Sequence, residues 1–494
     1  MKTLTRIARL MVCFSLTCLA ACTIPSTLLP EQAPINPIPS PTPHQPVTVN
    51  VELEKPTPSA SPPDHSTDHT TRYYFDATLD YDAKKLFVDQ TIIYTNNTGD
   101  TISLLPLQVP PAYQPGVFLL TGIQIGQIQP EIESELKGAL IHLQFDPPLQ
   151  PGQQVEINLK YQLYPTHGWS TLGYTQRQIL LTDWYPMVPL HRDGHGWVIN
   201  PPGQVGEHLA YPLSDFQLYL CLAPTRSPLI IAASSPLSEQ SADCYRYQAQ
   251  QVRNFSMAIS PEYHLSTAES DQVTVLAYTF PEHADLGQRA ADLAVQSWGT
   301  FTDLFGNNQR NFLSIVEADI FDGLETDGLI YLSEWYYQTA DKTPRNLFQL
   351  LVVHETVHQW FYGYIHNDQA FEPWLDEAMA TYSEVLFYER HHPQLVNWWW
   401  DFRVAAYEPE GVVNASIYDF NHFRPYINAV YLRGAIFFQT LRDEIGDPAF
   451  FLALRQYALP EGESDHWRTA DDFMDAFSQV SDVDLAPIFS TFFH

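Results

Sequence analysis

His354-Glu355-Thr356-Val357-His358 and Trp374-Leu375-Asp376-Glu377-Ala378 are the two stretches on which the reading of this chain turns. On a helix, residues four apart lie on one face, so His354 and His358 aim two imidazoles at one point. Neutral imidazole nitrogen is a good zinc ligand, and a carboxylate from a second helix completes a three-ligand set with one position left for water. Glu377, nineteen positions after His358, has the spacing to be that carboxylate. An open position marks a catalytic ion rather than a structural one. Glu355, beside the first ligand, is placed to take a proton from the attacking water. The expected cofactor is one Zn2+ per chain, held by His354, His358 and Glu377.

The sequence around these stretches is helical in period. Helices are expected over 347–364 and 375–390, carrying the motif, and over 285–305, 393–407, 429–445, 447–457 and 469–478. A strand is expected at 311–317. Glu384 lies two turns beyond Glu377, on the same face, and either orients a ligating imidazole or forms a surface salt bridge. The run Trp398-Trp399-Trp400 reads as interhelix packing. Upstream the period changes to two. Val155, Ile157, Leu159 and Tyr161 alternate with Glu156, Asn158 and Lys160, and similar runs recur from residue 73 to 250. The fold class is therefore multidomain α and β. An antiparallel β-sandwich spans 72–268, and a mostly helical catalytic domain spans 269–494. His191-Arg192-Asp193-Gly194-His195 reads as a hairpin tip rather than a second metal site.

Residues 22–71 are rich in Pro, Ser and Thr and are expected to form a disordered tether. Before them, Lys2, Arg6 and Arg9 precede a short apolar run that is too short to span a bilayer and ends in Leu19-Ala20-Ala21-Cys22. This pattern resembles a bacterial lipobox. It implies a signal peptide over 1–21, a lipid on Cys22, and an extracytoplasmic location on a bacterial membrane. Of the five cysteines, only Cys221 and Cys244 then remain, as a disulfide or as two buried thiols. The 494 residues carry 57 acidic against 25 basic side chains, a formal charge of -32, which disfavours nucleic acid as a partner.

With these residues in hand, the chain resembles the aminopeptidase N family of gluzincin zinc metallopeptidases. The resemblance rests on HEXXH, eighteen residues, then Glu within Trp-Leu-x-Glu-Ala. It rests also on Asp322-Gly323-Leu324-Glu325-Thr326, where the family usually has Gly-Ala-Met-Glu-Asn, and on Val430-Tyr431-Leu432-Arg433-Gly434-Ala435. It implies a saddle-like amino-terminal β domain and a thermolysin-like catalytic domain. It also implies three roles. Tyr431 donates a hydrogen bond to the oxyanion of the tetrahedral intermediate, Glu325 and its neighbour Gly323 bind the substrate end, and Glu325 pairs with the free α-amine. Asp322 and Thr326 depart from the usual Gly and Asn. The chain runs only a short way past Tyr431, so the large helical domain that roofs the site in many relatives is expected to be missing and the site more open. The implied activity is removal of amino-terminal residues from peptides. Competing readings are a zinc endopeptidase that makes no use of Glu325, and a catalytically silent surface scaffold.

Overall fold

The computed structural model describes residues 47–52, 70–126, 138–459 and 467–494. The signal segment 1–21, Cys22 and most of the 22–71 linker lie outside the described residues. Within that linker, however, Val47–Glu52 is a strand. It pairs parallel with Leu140–Leu149, Val47 opposite Ile141. The alternation Val-Thr-Val-Asn-Val suits a strand and outweighs the Pro-rich surroundings that suggested a tether throughout.

The β-rich half is built on a seven-stranded sheet. Its central strands are Thr71–Asp80, Lys85–Thr95 and Gln154–Leu163. Alternation decides their faces: Val155, Ile157, Leu159 and Tyr161 are buried, whereas Glu156 and Lys160 face solvent. A five-stranded and a three-stranded sheet accompany it, with one buried cluster including Phe75, Ile157, Trp184 and Leu218. The expected purely antiparallel pattern is corrected at three joints. Ser214–Leu222 runs parallel to Thr71–Asp80, Val47–Glu52 runs parallel to Leu140–Leu149, and Thr166–His167 runs parallel to Leu172–Tyr174. At the first joint a crossover of more than a hundred residues separates the two strands, and such length permits parallel pairing. Cys221 and Cys244 face each other across neighbouring strands and are disulfide-bonded. His191–Arg192 and Gly196–Trp197 form the two sides of the expected hairpin.

The catalytic half opens with a second five-stranded sheet, ordered His264–Glu269, Thr274–Thr279, Phe312–Ala318, Leu329–Ser333, Gly323–Thr326. The first two strands are joined by a tight turn closed by Ser270 N–H on Val273 O at 2.9 Å. His264–Glu269 therefore belongs with the catalytic sheet, and the boundary falls before residue 264 rather than after 268. Phe312–Ala318 is buried at every position, as parallel strands covered on both faces are. Gly323–Thr326 is the edge strand and pairs antiparallel with Leu329–Ser333.

Helices pack on this sheet. Ala284–Phe305, Trp374–His391, Asp447–Ala458 and Ala470–Val480 stand close to their expected bounds. The first motif helix is shorter than expected: it runs Leu347–Val357, and His358 is its C-cap with φ -61° and ψ -12°. The chain then turns through Tyr362 at φ 126°. Pro393–Tyr407 and Phe423–Ile445 are not single helices, because each contains a π-helical stretch, Trp400–Val404 and Ile427–Leu432. Among the described residues no helix is long and apolar enough to cross a membrane.

Candidate metal centre

His354 and His358 lie one turn apart near the end of their helix, and Glu377 comes from the first turn of the helix packed across it. Glu377 Oε2 stands 3.3 Å from His354 Nε2 and 3.6 Å from His358 Nε2. One ligand atom from each of the three lies within 4.8 Å of the others. The other ring nitrogens are engaged. His354 Nδ1 donates to Glu384 Oε1 at 3.0 Å, and His358 Nδ1 donates to Phe361 O at 3.0 Å. Both hydrogen bonds fix the tautomer that turns a lone pair on Nε2 toward the common point. Two imidazoles and one carboxylate, buried and convergent, fit a tetrahedral zinc ion with one position open. Burial works against the charge on Glu377, but the two histidines beside it outweigh burial and hold the carboxyl below its usual range.

Glu384 settles in the orienting role. It is fully buried, and besides His354 it accepts from Trp399 Nε1 at 3.0 Å and from Arg403 Nε and Nη2 at 3.0 Å each. Trp399 is thus both core packing and a donor to the shell around the ligands. Arg403 sits in the π-helical stretch, and no motif in the sequence pointed to it.

Glu355 is buried, and its Oε2 has no hydrogen-bond partner among the described residues. Burial pushes its carboxyl up to about 8; the two histidines lower it and Glu325 and Glu377 raise it. A bound cation would pull it down again. Its Oε1 leans toward Gly323, where a Cβ would lie 2.1 Å away. The motif that Gly323 resembles has alanine there, so the missing methyl is filled by the carboxylate.

Glu325 lies on the edge strand, 5% exposed, and accepts from Gln369 Nε2 at 3.0 Å. Its carboxyl is pushed up by burial and lowered by His358. The departures beside it have local partners. Thr326 Oγ1 donates to Leu329 O at 2.6 Å, and Asp322 Oδ1 accepts from Tyr336 Oη. The turn between the strands is clasped to the metal helix: Gly328 N–H donates to Gln359 Oε1 at 2.8 Å and Gln359 Nε2 to Thr326 O at 3.0 Å. Gly328 has φ +77°, and a Cβ there would lie 2.1 Å from Ser234 O, so no other residue fits this turn.

Tyr431 lies in the π-helical stretch, its ring parallel to that of His354 at 5.9 Å and 2°. Such bulges often occur at functional sites, where they re-aim a side chain. Burial pushes its hydroxyl well above its usual range, so the group is a proton-bearing donor. Glu207 was missed entirely. It arrives from the β-rich half, and its carboxylate can share one cation with Glu325 and Glu377, with ligand atoms within 4.8 Å. Burial and the neighbouring carboxylates push it well up. Its only sequence signal is the adjacent Gly206, whose Cβ would meet Tyr426 Oη at 2.8 Å.

Comparison with known proteins bears on the family and the fold. Residues 320–492 match the model of the peptidase family M1 domain. The whole fold is similar to an M1 zinc metallopeptidase from Deinococcus radiodurans. That match has a TM-score of 0.59 at 16% identity and covers 86% of this chain and 92% of that one. A mutant of the same enzyme bound to a Tyr-Ser-Ala substrate matches with TM-score 0.59 at 15% identity, covering 86% and 93%. A two-domain M1 zinc metallopeptidase mutant bound to L-tryptophan matches with TM-score 0.59 at 16% identity, also covering 86% and 93%. At these identities the likeness establishes the fold.

Proposed function

Through its residues 320–492 this chain belongs to the M1, aminopeptidase N-like zinc metallopeptidases, and from that premise we infer that it removes residues from the amino termini of peptides. The observation that carries this reading is the pair of carboxylates, Glu207 and Glu325, set beside the ligand cluster with no cationic side chain in hydrogen-bonding contact with either among the described residues. A substrate ammonium satisfies both by charge-assisted hydrogen bonds. Glu325 and Gly323 are two residues apart on the edge strand, about 7 Å. That span matches one residue of substrate plus one hydrogen bond, about 3.3 Å and 3 Å. Gly323 is also where Glu355 approaches, so the anchored peptide presents its first bond to the base.

His354, His358 and Glu377 would hold a zinc ion, which would supply Lewis acidity toward the scissile carbonyl and the attacking water. The chain's residues do the rest. The open edge of Gly323–Thr326 receives the peptide backbone as an added strand. Glu355 takes the proton of the attacking water and hands it to the departing amine. Tyr431 donates from its hydroxyl to the developing oxyanion. Glu384 holds His354 in one tautomer throughout.

The test is a set of peptides with free and acetylated amino termini, followed by mass spectrometry with and without chelator. We expect free-amine substrates to be favoured by about a hundredfold or more in kcat/KM, because an acetylated amine leaves buried carboxylates unpaired. Glu325→Ala should slow them far more than blocked peptides. Glu355→Gln should keep the metal and lose most of the rate. Equal cleavage of free and blocked peptides at internal bonds would sink the aminopeptidase reading and leave an endopeptidase.

We also propose that Cys22 carries a lipid and that the enzyme works outside the cytoplasm, anchored to a bacterial membrane. The lipobox-like Leu19-Ala20-Ala21-Cys22 supports this, and so does the Cys221–Cys244 disulfide, a bond of oxidising compartments. The expected result is a native protein in the membrane fraction that Cys22→Ser shifts to the soluble one. An unmodified amino-terminal peptide in the mass spectrum would refute it.

A further inference from the structure

On the aminopeptidase reading above, we propose that Asp322 selects peptides that carry a lysine or arginine on the residue after the scissile bond. The direction of the bound peptide follows from the site. Its amine lies at Glu325, and the base Glu355 reaches the same strand two positions earlier, at Gly323. The first peptide bond therefore lies on the Gly323 side of the amine, and the peptide continues toward Asp322. Asp322 leads into this strand three positions before Glu325, about 10 Å away at full extension. One hydrogen bond from Glu325, about 3 Å, and two extended residues, about 3.3 Å each, cover that span. Asp322 thus stands opposite the second residue of the peptide, the one that the cut leaves with a new amine.

The carboxylate of Asp322 is held in place and left charged. Its backbone is fastened by Ser333 N–H, which donates to Asp322 O at 3.1 Å. On the side chain, Oδ1 accepts from the Tyr336 hydroxyl and from Gly323 N–H, the latter at 3.1 Å. Both donors are neutral. Among the described residues Oδ2 has no hydrogen-bond partner, and neither oxygen has an ion-pair partner. The residue is exposed, and it lines the cavity that contains the metal ligands.

Arg403 is the only lysine or arginine lining that cavity among the described residues. It gives three hydrogen bonds to Glu384 and none to Asp322. Arg403 and Glu384 cancel as a pair, so the Asp322 charge stands uncompensated where the departing residue lies. The motif that this stretch resembles has glycine at this position, which offers no side chain to a substrate. A lysine or arginine brings the missing cation and a donor for Oδ2 on a long flexible stem. An acidic side chain meets a like charge there.

The experiment uses the full zinc enzyme and peptides Ala-X-Ala amide. X is lysine or acetyl-lysine, and arginine or citrulline, pairs that differ in charge and little in shape. Cleavage of the first bond is followed in competition by mass spectrometry. The charged member of each pair should be favoured by about three- to tenfold in kcat/KM, since a partly enclosed ion pair exceeds an exposed one. Added salt should shrink the ratio. Asp322→Asn keeps the shape and an acceptor for Tyr336, and should bring both ratios close to one. Each ratio is taken within one preparation, so a partial loss of folded enzyme cancels. The same pairs on the third residue of the peptide separate Asp322 from the general attraction of a chain with formal charge -32. There the ratio should be smaller and unaffected by Asp322→Asn. A ratio near one at the second residue, equal ratios at the two positions, or a native ratio in Asp322→Asn overturns the inference while leaving first-bond cleavage standing. If cleavage proves internal, the aminopeptidase reading falls. The same pairs placed after the cut in longer blocked peptides then decide this inference separately: a charge preference lost in Asp322→Asn supports it, and no preference overturns it.

Discussion

Replacing Glu384 by glutamine tests how far the metal centre depends on a residue that never touches the ion. The carboxylate is fully buried and receives hydrogen bonds from three different side chains: His354 Nδ1, Trp399 Nε1 and the Arg403 guanidinium. Glutamine keeps the shape but has only one acceptor oxygen. Its amide hydrogens must face His354 and Arg403 Nη2 in one orientation, or Trp399 and Arg403 Nε in the other, donor against donor. Two separable losses follow. Arg403 loses its buried counter-charge, and breaking such a pair costs about 3–5 kcal/mol. Its side chain is 19% exposed, so the lower end of that range applies. His354 loses the partner that fixes its tautomer, which lowers metal affinity about ten- to a hundredfold, or about 1.4–2.7 kcal/mol.

The assay keeps the two losses apart. Denaturant unfolding in excess chelator reads the first, and zinc competition against a chromogenic chelator reads the second. Because bound zinc also stabilises the fold by mass action, unfolding with zinc present would mix them. Adding Arg403→Met to Glu384→Gln should recover much of the metal-free stability and none of the zinc affinity. A Glu384→Gln protein that binds zinc like the native one, at unchanged metal-free stability, would refute the orienting role.

Tyr431→Phe should fold normally and bind substrate with little change, but lose about two to three orders of magnitude in kcat, the usual effect of removing one oxyanion donor. Stopped-flow binding and steady-state turnover check this, and near-native turnover would assign the oxyanion to another group. A pH effect is expected at Glu317, whose buried carboxyl faces His283 Nδ1 at 2.6 Å and accepts from Phe280 N–H. Burial pushes Glu317 up to about 8 from 4.5, and His283 is pushed down, so the pair is neutral with Glu317 protonated. An acid whose folded value is raised stabilises fully below its unfolded value and loses that contribution as pH rises through the folded one. Native stability should therefore fall relative to Glu317→Gln between pH 4.5 and about 8, by on the order of a few kcal/mol. Unfolding of both metal-free proteins across that window is the measurement, and parallel curves would contradict it.

The parts of the site that were legible in the sequence are those that helix geometry ties to sequence distance. His354 to His358 is one turn, and Glu377 to Glu384 is two, so both pairs share a face wherever the helices lie. Glu325, Gly323 and Tyr431 needed the resemblance, because nothing periodic links them to the histidines. The misses share one cause, tertiary approach. Glu207 reaches the centre because the β-rich half packs there, and Arg403 because a π-helical stretch shifts its register toward Glu384. The early end of the motif helix was equally hidden. Gln359-Trp360-Phe361 continues its apolar pattern, and only Gly363 hints at the turn. The helix stops because Gln359 is drawn to the 326–328 turn and Gly363 O to Arg253 at 3.2 Å.

Charge balance joins these parts into one argument. The half-buried Glu207 and the buried Glu325 and Glu377 bring three carboxylates together, an arrangement that repels itself unless cations enter it. A zinc ion held with the two imidazoles would satisfy Glu377. Glu207 and Glu325 then stand close together, and burial and the neighbouring carboxylates push both carboxyls up. On the proposed reading a free α-amine enters with one positive charge and three donors and bridges both carboxylates. A blocked amine brings neither the charge nor the donors, and an internal stretch of peptide brings only more backbone. On that reading selectivity for the chain end is built from electrostatics rather than from a steric wall. It depends on the docking of the β-rich half, which supplies one of the two carboxylates.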